Sequence, residues 1–111
     1  MFNYKTQLVA ELNTILPTWY ELFADSSTAT PCITYMEVEN SSAAEGDTLR
    51  YSRIAFQLKI WGDDLAALEP YTEQVDTKMK QLGFTRVSFN ELWYGNQVAL
   101  IFRYEATACE N

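Results

Sequence analysis

Three groups of side chains in this sequence have types and spacings that could do chemistry. The first is the adjacent pair Asp63-Asp64, whose oxygens could hold a hard cation. A cation site needs more converging oxygens than one pair supplies. Adjacent acids at a helix start instead complement its positive end, so the structural reading is favoured. The second group is Glu69, Glu73 and Asp76, which could supply paired carboxylates for general acid–base work. Their spacing puts them mostly off the apolar stripe of an amphipathic helix, where acids are usually just solvated. The third is a set of aromatics with arginine: Tyr51, Arg53, Trp61, Trp93, Tyr94 and Trp19. Such a set could stack nucleic-acid bases, but it also marks protein interfaces.

Composition decides among these. Fifteen acids against eight bases give a net charge of −7, which argues against a surface built to grip phosphates. The third group therefore reads as core or subunit interface. The chain has no histidine, which removes the usual general base, the Ser-His and Cys-His nucleophile systems and the commonest zinc ligand. Cys32 and Cys109 are far apart, with no Cys-x-x-Cys, and are expected to be free thiols. Four scattered glycines make no phosphate loop. No catalytic residue, cofactor or metal is expected, and the chain is not read as an enzyme.

The elements that would position these residues follow from periodicity. The 111 residues, 48% of them hydrophobic, suit one domain with a real core. There is no run of eighteen apolar residues and no signal-like N-terminal segment, so the protein is expected to be made and kept in a cytoplasm. Tyr4, Leu8, Leu12, Ile15 and Leu16 predict a first helix, with Asn3 as N-cap and Pro17 as its end. Residues 18–24 read as a strand or an extended connector. Cys32–Val38 alternates as a strand. Residues 39–48, polar and without apolar period, are expected to be a mobile loop.

Leu49–Trp61 is the clearest strand. Ile54, Phe56, Leu58 and Ile60 face one way; Arg53, Ala55, Gln57, Lys59 and Trp61 face the other. Leu65, Leu68, Val75, Met79 and Leu82 predict a second helix closed by Gly83. Pro70 predicts either a kink or a separate turn before it. Two further strands, Phe84–Tyr94 and Gln97–Ala106, flank Gly95-Asn96, which suits a II′ hairpin turn. Asn90-Glu91 is expected to mark a bulge, and residues 107–111 a flexible tail. The expected fold is α+β, in the order α-β-β-α-β-β. A single antiparallel sheet carries both helices on one face.

A family likeness rests on an ordered set of short motifs. Pro31-Cys32-Ile33-Thr34-Tyr35-Met36-Glu37-Val38-Glu39-Asn40 precedes a polar stretch. Tyr51-Ser52-Arg53 then leads into Phe56-Gln57-Leu58-Lys59-Ile60-Trp61. Val75-Asp76-Thr77-Lys78-Met79 and Leu82-Gly83-Phe84-Thr85-Arg86 follow, and the closing hairpin ends in Phe102-Arg103-Tyr104. From Pro31 to Tyr104 this resembles the tail-terminator family of long-tailed phages, also called tail-completion or head–tail joining proteins. The hairpin departs from the family: members often have a longer acidic turn than Tyr94-Gly95-Asn96-Gln97.

The resemblance implies a structural subunit of a phage or prophage. Six copies would form a ring that terminates the tail tube and docks it to the head connector. Its partners would be further copies of itself, the tail-tube protein and the connector or stopper protein. No membrane or specific nucleic-acid partner is implied. It would act in the host cytoplasm during assembly and then in the virion neck, and a monomer in dilute solution is compatible with this. A small cytoplasmic α+β protein binding a ligand or partner as a dimer is the alternative. Arg53, Lys59 and Trp61 are the candidate interface residues on one copy, with Glu45 and Asp47 meeting them from the next.

Overall fold

A computed structural model describes residues 4–20, 30–45 and 49–110, with side chains described over 6–20, 30–38 and 53–106. Helix α1 (Tyr4–Asn13) leads to a short strand β1 (Thr18–Tyr20), then to β2 (Cys32–Glu45) and β3 (Leu49–Gly62). Helix α2 (Leu65–Gln81) and the hairpin β4 (Thr85–Tyr94) and β5 (Gln97–Glu110) complete the α+β fold. The sheet order is β1-β2-β3-β5-β4. All pairings are antiparallel except β1 with β2, which is parallel. The sheet is therefore mixed rather than wholly antiparallel. The parallel edge begins where the Ile33 amide donates to the Pro17 carbonyl at 2.8 Å. The extra strand expected near 18–24 is present as Thr18–Tyr20, and 21–24 lie outside the described residues.

Alternation sets the core. Ile54, Phe56, Leu58 and Ile60 of β3 and Val98, Leu100, Phe102 and Tyr104 of β5 are all buried. Leu8, Leu12 and Leu16, together with Leu68, Val75 and Met79 of α2, cover that face in one cluster. Both helices thus lie on one side of the sheet, and Lys78 of α2 pairs with Glu11 of α1 at 3.1 Å.

Local chemistry fixes the ends of α2. Asp64 is its N-cap, the carboxylate accepting from the Ala66 amide at 3.1 Å. The helix runs continuously through Pro70, so the segment before it is not a separate turn. At that position the missing N–H leaves only the Ala66 carbonyl without its helical donor. At the other end Gly83 takes φ +93°, the Gly83 amide reaches the Lys80 carbonyl and the Phe84 amide reaches the Met79 carbonyl. This is a Schellman closure, and it delivers Phe84 edge-on to Phe56 at 5.8 Å. The Gly95 φ of +64°, with no positive φ at Asn96, fits the II′ turn.

Three expectations are corrected. The loop expected over 39–48 is strand from Glu39 to Glu45, paired with Leu49–Ala55; Gly46–Thr48 lie outside the described residues. The tail expected over 107–111 is strand to Glu110, paired with Arg50–Arg53. Backbone ladder bonds hold these polar segments without needing an apolar face. The β4 bulge lies at Val87, between Arg86 and Ser88, not at Asn90-Glu91. A second irregularity falls at Val38, between Glu37 and Glu39. Beyond Ala55, toward Leu49, β2, β3 and β5 continue together as a three-stranded arm. It fits a radius of gyration of 15.1 Å, against about 13 Å for a compact chain of this length.

Candidate functional site: the sheet face without helices

Residues paired across an antiparallel ladder share a face. Register therefore assigns the face opposite the helices. Trp61 stands between Cys32 and Ala99, Lys59 between Thr34 and Ile101, and Gln57 between Met36 and Arg103. Arg53 follows four positions further on from Gln57, and Leu92 and Tyr94 extend the surface across β4. Neither helix touches this side.

Its centre is a built cluster. The Trp61 indole N–H donates to the Thr34 hydroxyl at 2.9 Å. The Trp61 and Tyr94 rings lie 5.3 Å apart, and the Lys59 Nζ sits 5.8 Å from the indole centre. Small residues beside these rings are sealed off: Thr34 and Cys32 are each 2% exposed, and Ala99 is fully buried. Burial pushes the Cys32 thiol above its ordinary pKa, which keeps it protonated and unreactive. The larger side chains remain accessible. Trp19 and Tyr94 are about half exposed, Trp61 and Lys59 are half-buried, and Arg53 is exposed.

The structure thus brings Arg53, Lys59 and Trp61 onto one face. It does not bring the expected acidic partners to them within one copy. Glu45 pairs with Leu49 at the far end of the arm, ten strand positions and roughly 33 Å from Lys59. Asp47 lies outside the described residues. Of the grouped aromatics, Trp93 opposes Val98 and so belongs to the helix side, away from Tyr94. The hairpin turn carries this information, because a two-residue loop fixes the pairing of every residue after it. Trp19, opposite Thr34, joins the helix-free face.

No protein-family model matches the chain, and no curated protein matches it.

Among the described side chains, the other carboxylates have structural partners or stand in solvent. Asp76 accepts from the Tyr104 hydroxyl at 3.1 Å and pairs with Lys80 at 3.3 Å. The second contact is a local i,i+4 pair on α2, whereas the first joins residues 28 apart. Burial, and then the Asp76 carboxylate, push the Tyr104 phenol well above its ordinary pKa; Arg86 opposes the shift. Glu69 and Glu73 are exposed on α2. Among the described residues no three His, Cys, Asp or Glu side chains converge as a metal site would.

One more surface is unfilled. A cleft runs between the N-terminal half of α2 and β4, lined by Leu65, Glu69, Pro70, Glu73, Phe89 and Leu100. Every residue of β4 is exposed, including Val87 at 50%, Phe89 at 52% and Trp93 at 53%. Nothing in the sequence pattern of β4 gives this away, because its apolar residues look like those of a covered strand.

Proposed function

We propose that this chain is a structural assembly protein of a phage or prophage, whose copies form a ring that ends the tail tube and joins it to the head connector. The observation that carries the reading is the two-sided sheet. One face is closed by helices, while the other presents Trp61, Tyr94, Lys59 and Arg53 as a preorganised aromatic and basic surface. Interfaces are anchored by these residue types, and a subunit that works only in assembly has reason to keep such a face open. The ordered motifs from Pro31 to Tyr104 add the family likeness. The remaining negative charge suits a ring that DNA must pass through without sticking. No catalytic role is assigned.

The test is made in the cells that produce the particles. Deleting the gene is expected to give overlong or uncapped tails that do not join heads, and Arg53→Glu is expected to reproduce that defect. Normal infectious particles from the deletion would overturn the function. Normal particles from Arg53→Glu alone would remove Arg53 from the interface. A second reading, a small partner-binding dimer, is favoured by one observation, the exposed ten-residue edge of β4. Two such edges can pair antiparallel about a twofold axis. A dimer mass that stays fixed across concentrations would favour it.

A further inference from the structure

The ring reading leaves open which surface of one subunit meets which surface of the next, and two features of the fold answer to each other. Although the chain is acidic overall, the rows of the helix-free face from Gln57 to Trp61 carry Lys59 and Arg103 and no acid, and Glu105 in the next row pairs with Arg103. The opposite side of the molecule is its complement. From Leu65 to Gln74, α2 holds Glu69 and Glu73 and no base, and Glu91 stands near them on β4. Between these acids Phe89 and Pro70 line an open apolar cleft.

We propose that the helix-free face of one copy docks on the acidic α2–β4 ridge of a second copy. Lys59 then approaches Glu69 and Glu73, which lie one helical turn apart, and Trp61 and Tyr94 cover the cleft around Phe89. This proposal rests on the ring reading and deepens it. The two surfaces differ and lie on opposite sides of the sheet, so the contact is heterologous and runs head to tail, the kind that closes rings. It places the acidic partner on α2 rather than at Glu45 and Asp47. The helix-free face, four strands wide over about eight residues with three more residues of β1 at its edge, covers roughly 550 Å². That is the lower end for a specific interface, so association is expected to be weak, concentration-dependent and sensitive to salt.

The experiment uses the full chain in unlabelled and ¹⁵N-labelled form, mixed at high concentration and treated with a zero-length carbodiimide that joins amines to carboxylates. Lys59 and Glu73 are separated within one copy by the sheet and the helix layer, about 10 Å or more, so any Lys59–Glu73 or Lys59–Glu69 link must join two copies. Mixed-isotope links of that kind are expected. Sedimentation measures the association itself. Lys59→Glu and the pair Glu69→Lys with Glu73→Lys are each expected to weaken it roughly tenfold or more. Each variant alone repels itself, but mixing the two in equal amounts restores every contact in alternating order, and placing all three changes in one chain restores the assembly in a single species.

An assembly indifferent to these reversals would overturn the surfaces and leave the ring intact. A chain that stays monomeric at every concentration would overturn the contact between free copies, while the phenotype of the gene deletion would still decide the function. Circular dichroism of each variant identifies any that fail to fold. For those, the isotope-mixed links of the wild-type chain decide the matter.

Discussion

Removing the Tyr104 hydroxyl should change the alkaline stability of the fold in a way that changes sign. Tyr104 is fully buried beneath α2, and its hydroxyl donates to Asp76. At neutral pH, Tyr104→Phe deletes a hydrogen bond to a charged acceptor. Such bonds contribute about 1.5–3 kcal/mol. Asp76 keeps Lys80 and some solvent contact, so the lower end, about 1.5 kcal/mol, is expected. At high pH the balance shifts. The folded phenol holds its proton more tightly than the unfolded one, because burial and Asp76 both raise its pKa. Tyr104 therefore contributes fully below the unfolded value of about 10. As pH rises beyond it, the unfolded state releases the proton and gains free energy. By pH 11 that is about 1.4 kcal/mol, close to the whole neutral advantage. Urea unfolding of both proteins from pH 8 to 11, followed by circular dichroism, should show the wild-type lead shrinking above pH 10 and vanishing near pH 11. A gap that stays constant over that range would mean that Tyr104 ionises as easily folded as unfolded, and would refute the placement of its hydroxyl.

Phe56→Ala should cost about 3–5 kcal/mol in urea unfolding, since Phe56 is fully buried against Phe84; a loss under about 1 kcal/mol would place the residue on the wrong face. Gly62→Ala should destabilise by about 1–3 kcal/mol, because a Cβ there would stand 2.7 Å from Leu68 Cδ2. Trimming Leu68 to Val should relieve part of that loss, and strict additivity of the two changes would argue against the clash. Asp64→Ala should cost about 1 kcal/mol by removing the α2 cap, with thermal denaturation as the check.

The inward rows of β3 and β5 were legible because alternation and burial coincide along them. The ends of α2 were legible because Asp64 and Gly83 act locally. The hairpin turn was legible in Gly95 for the same reason. The polar stretch Glu39–Glu45 was not, since its strand is templated by Leu49–Ala55 through backbone bonds that leave no apolar signature. The β5 extension to Glu110 was missed on the same ground. The parallel edge of β1 depends on a meeting of residues far apart in the chain, which no local pattern encodes. Among the candidate interface residues, the common face of Arg53, Lys59 and Trp61 follows from period two alone. The position of Trp93 on the other side required the pairing across Gly95-Asn96 to be carried through residue by residue. The exposure of Phe89 reflects where α2 settles, beside β4 rather than over it, and that is a property of the packed layers.

The register of β3 against β5 also has a consequence for how the chain finds its fold. Each of the two hairpins, β2 with β3 and β4 with β5, joins strands that are neighbours in the chain, and such elements close in microseconds. The central seam between them is different. Its partners are 36 residues apart at Gly62–Val98 and 60 apart at Arg50–Glu110. Closing loops of that length is the slow, entropically opposed event. Folding is therefore expected to be limited by two preformed halves meeting at the middle of the sheet. The α2 helix would be the tether that keeps them together. Core substitutions at the seam, in Leu58 or Phe102, should slow folding, while changes within the outer part of either hairpin should chiefly speed unfolding.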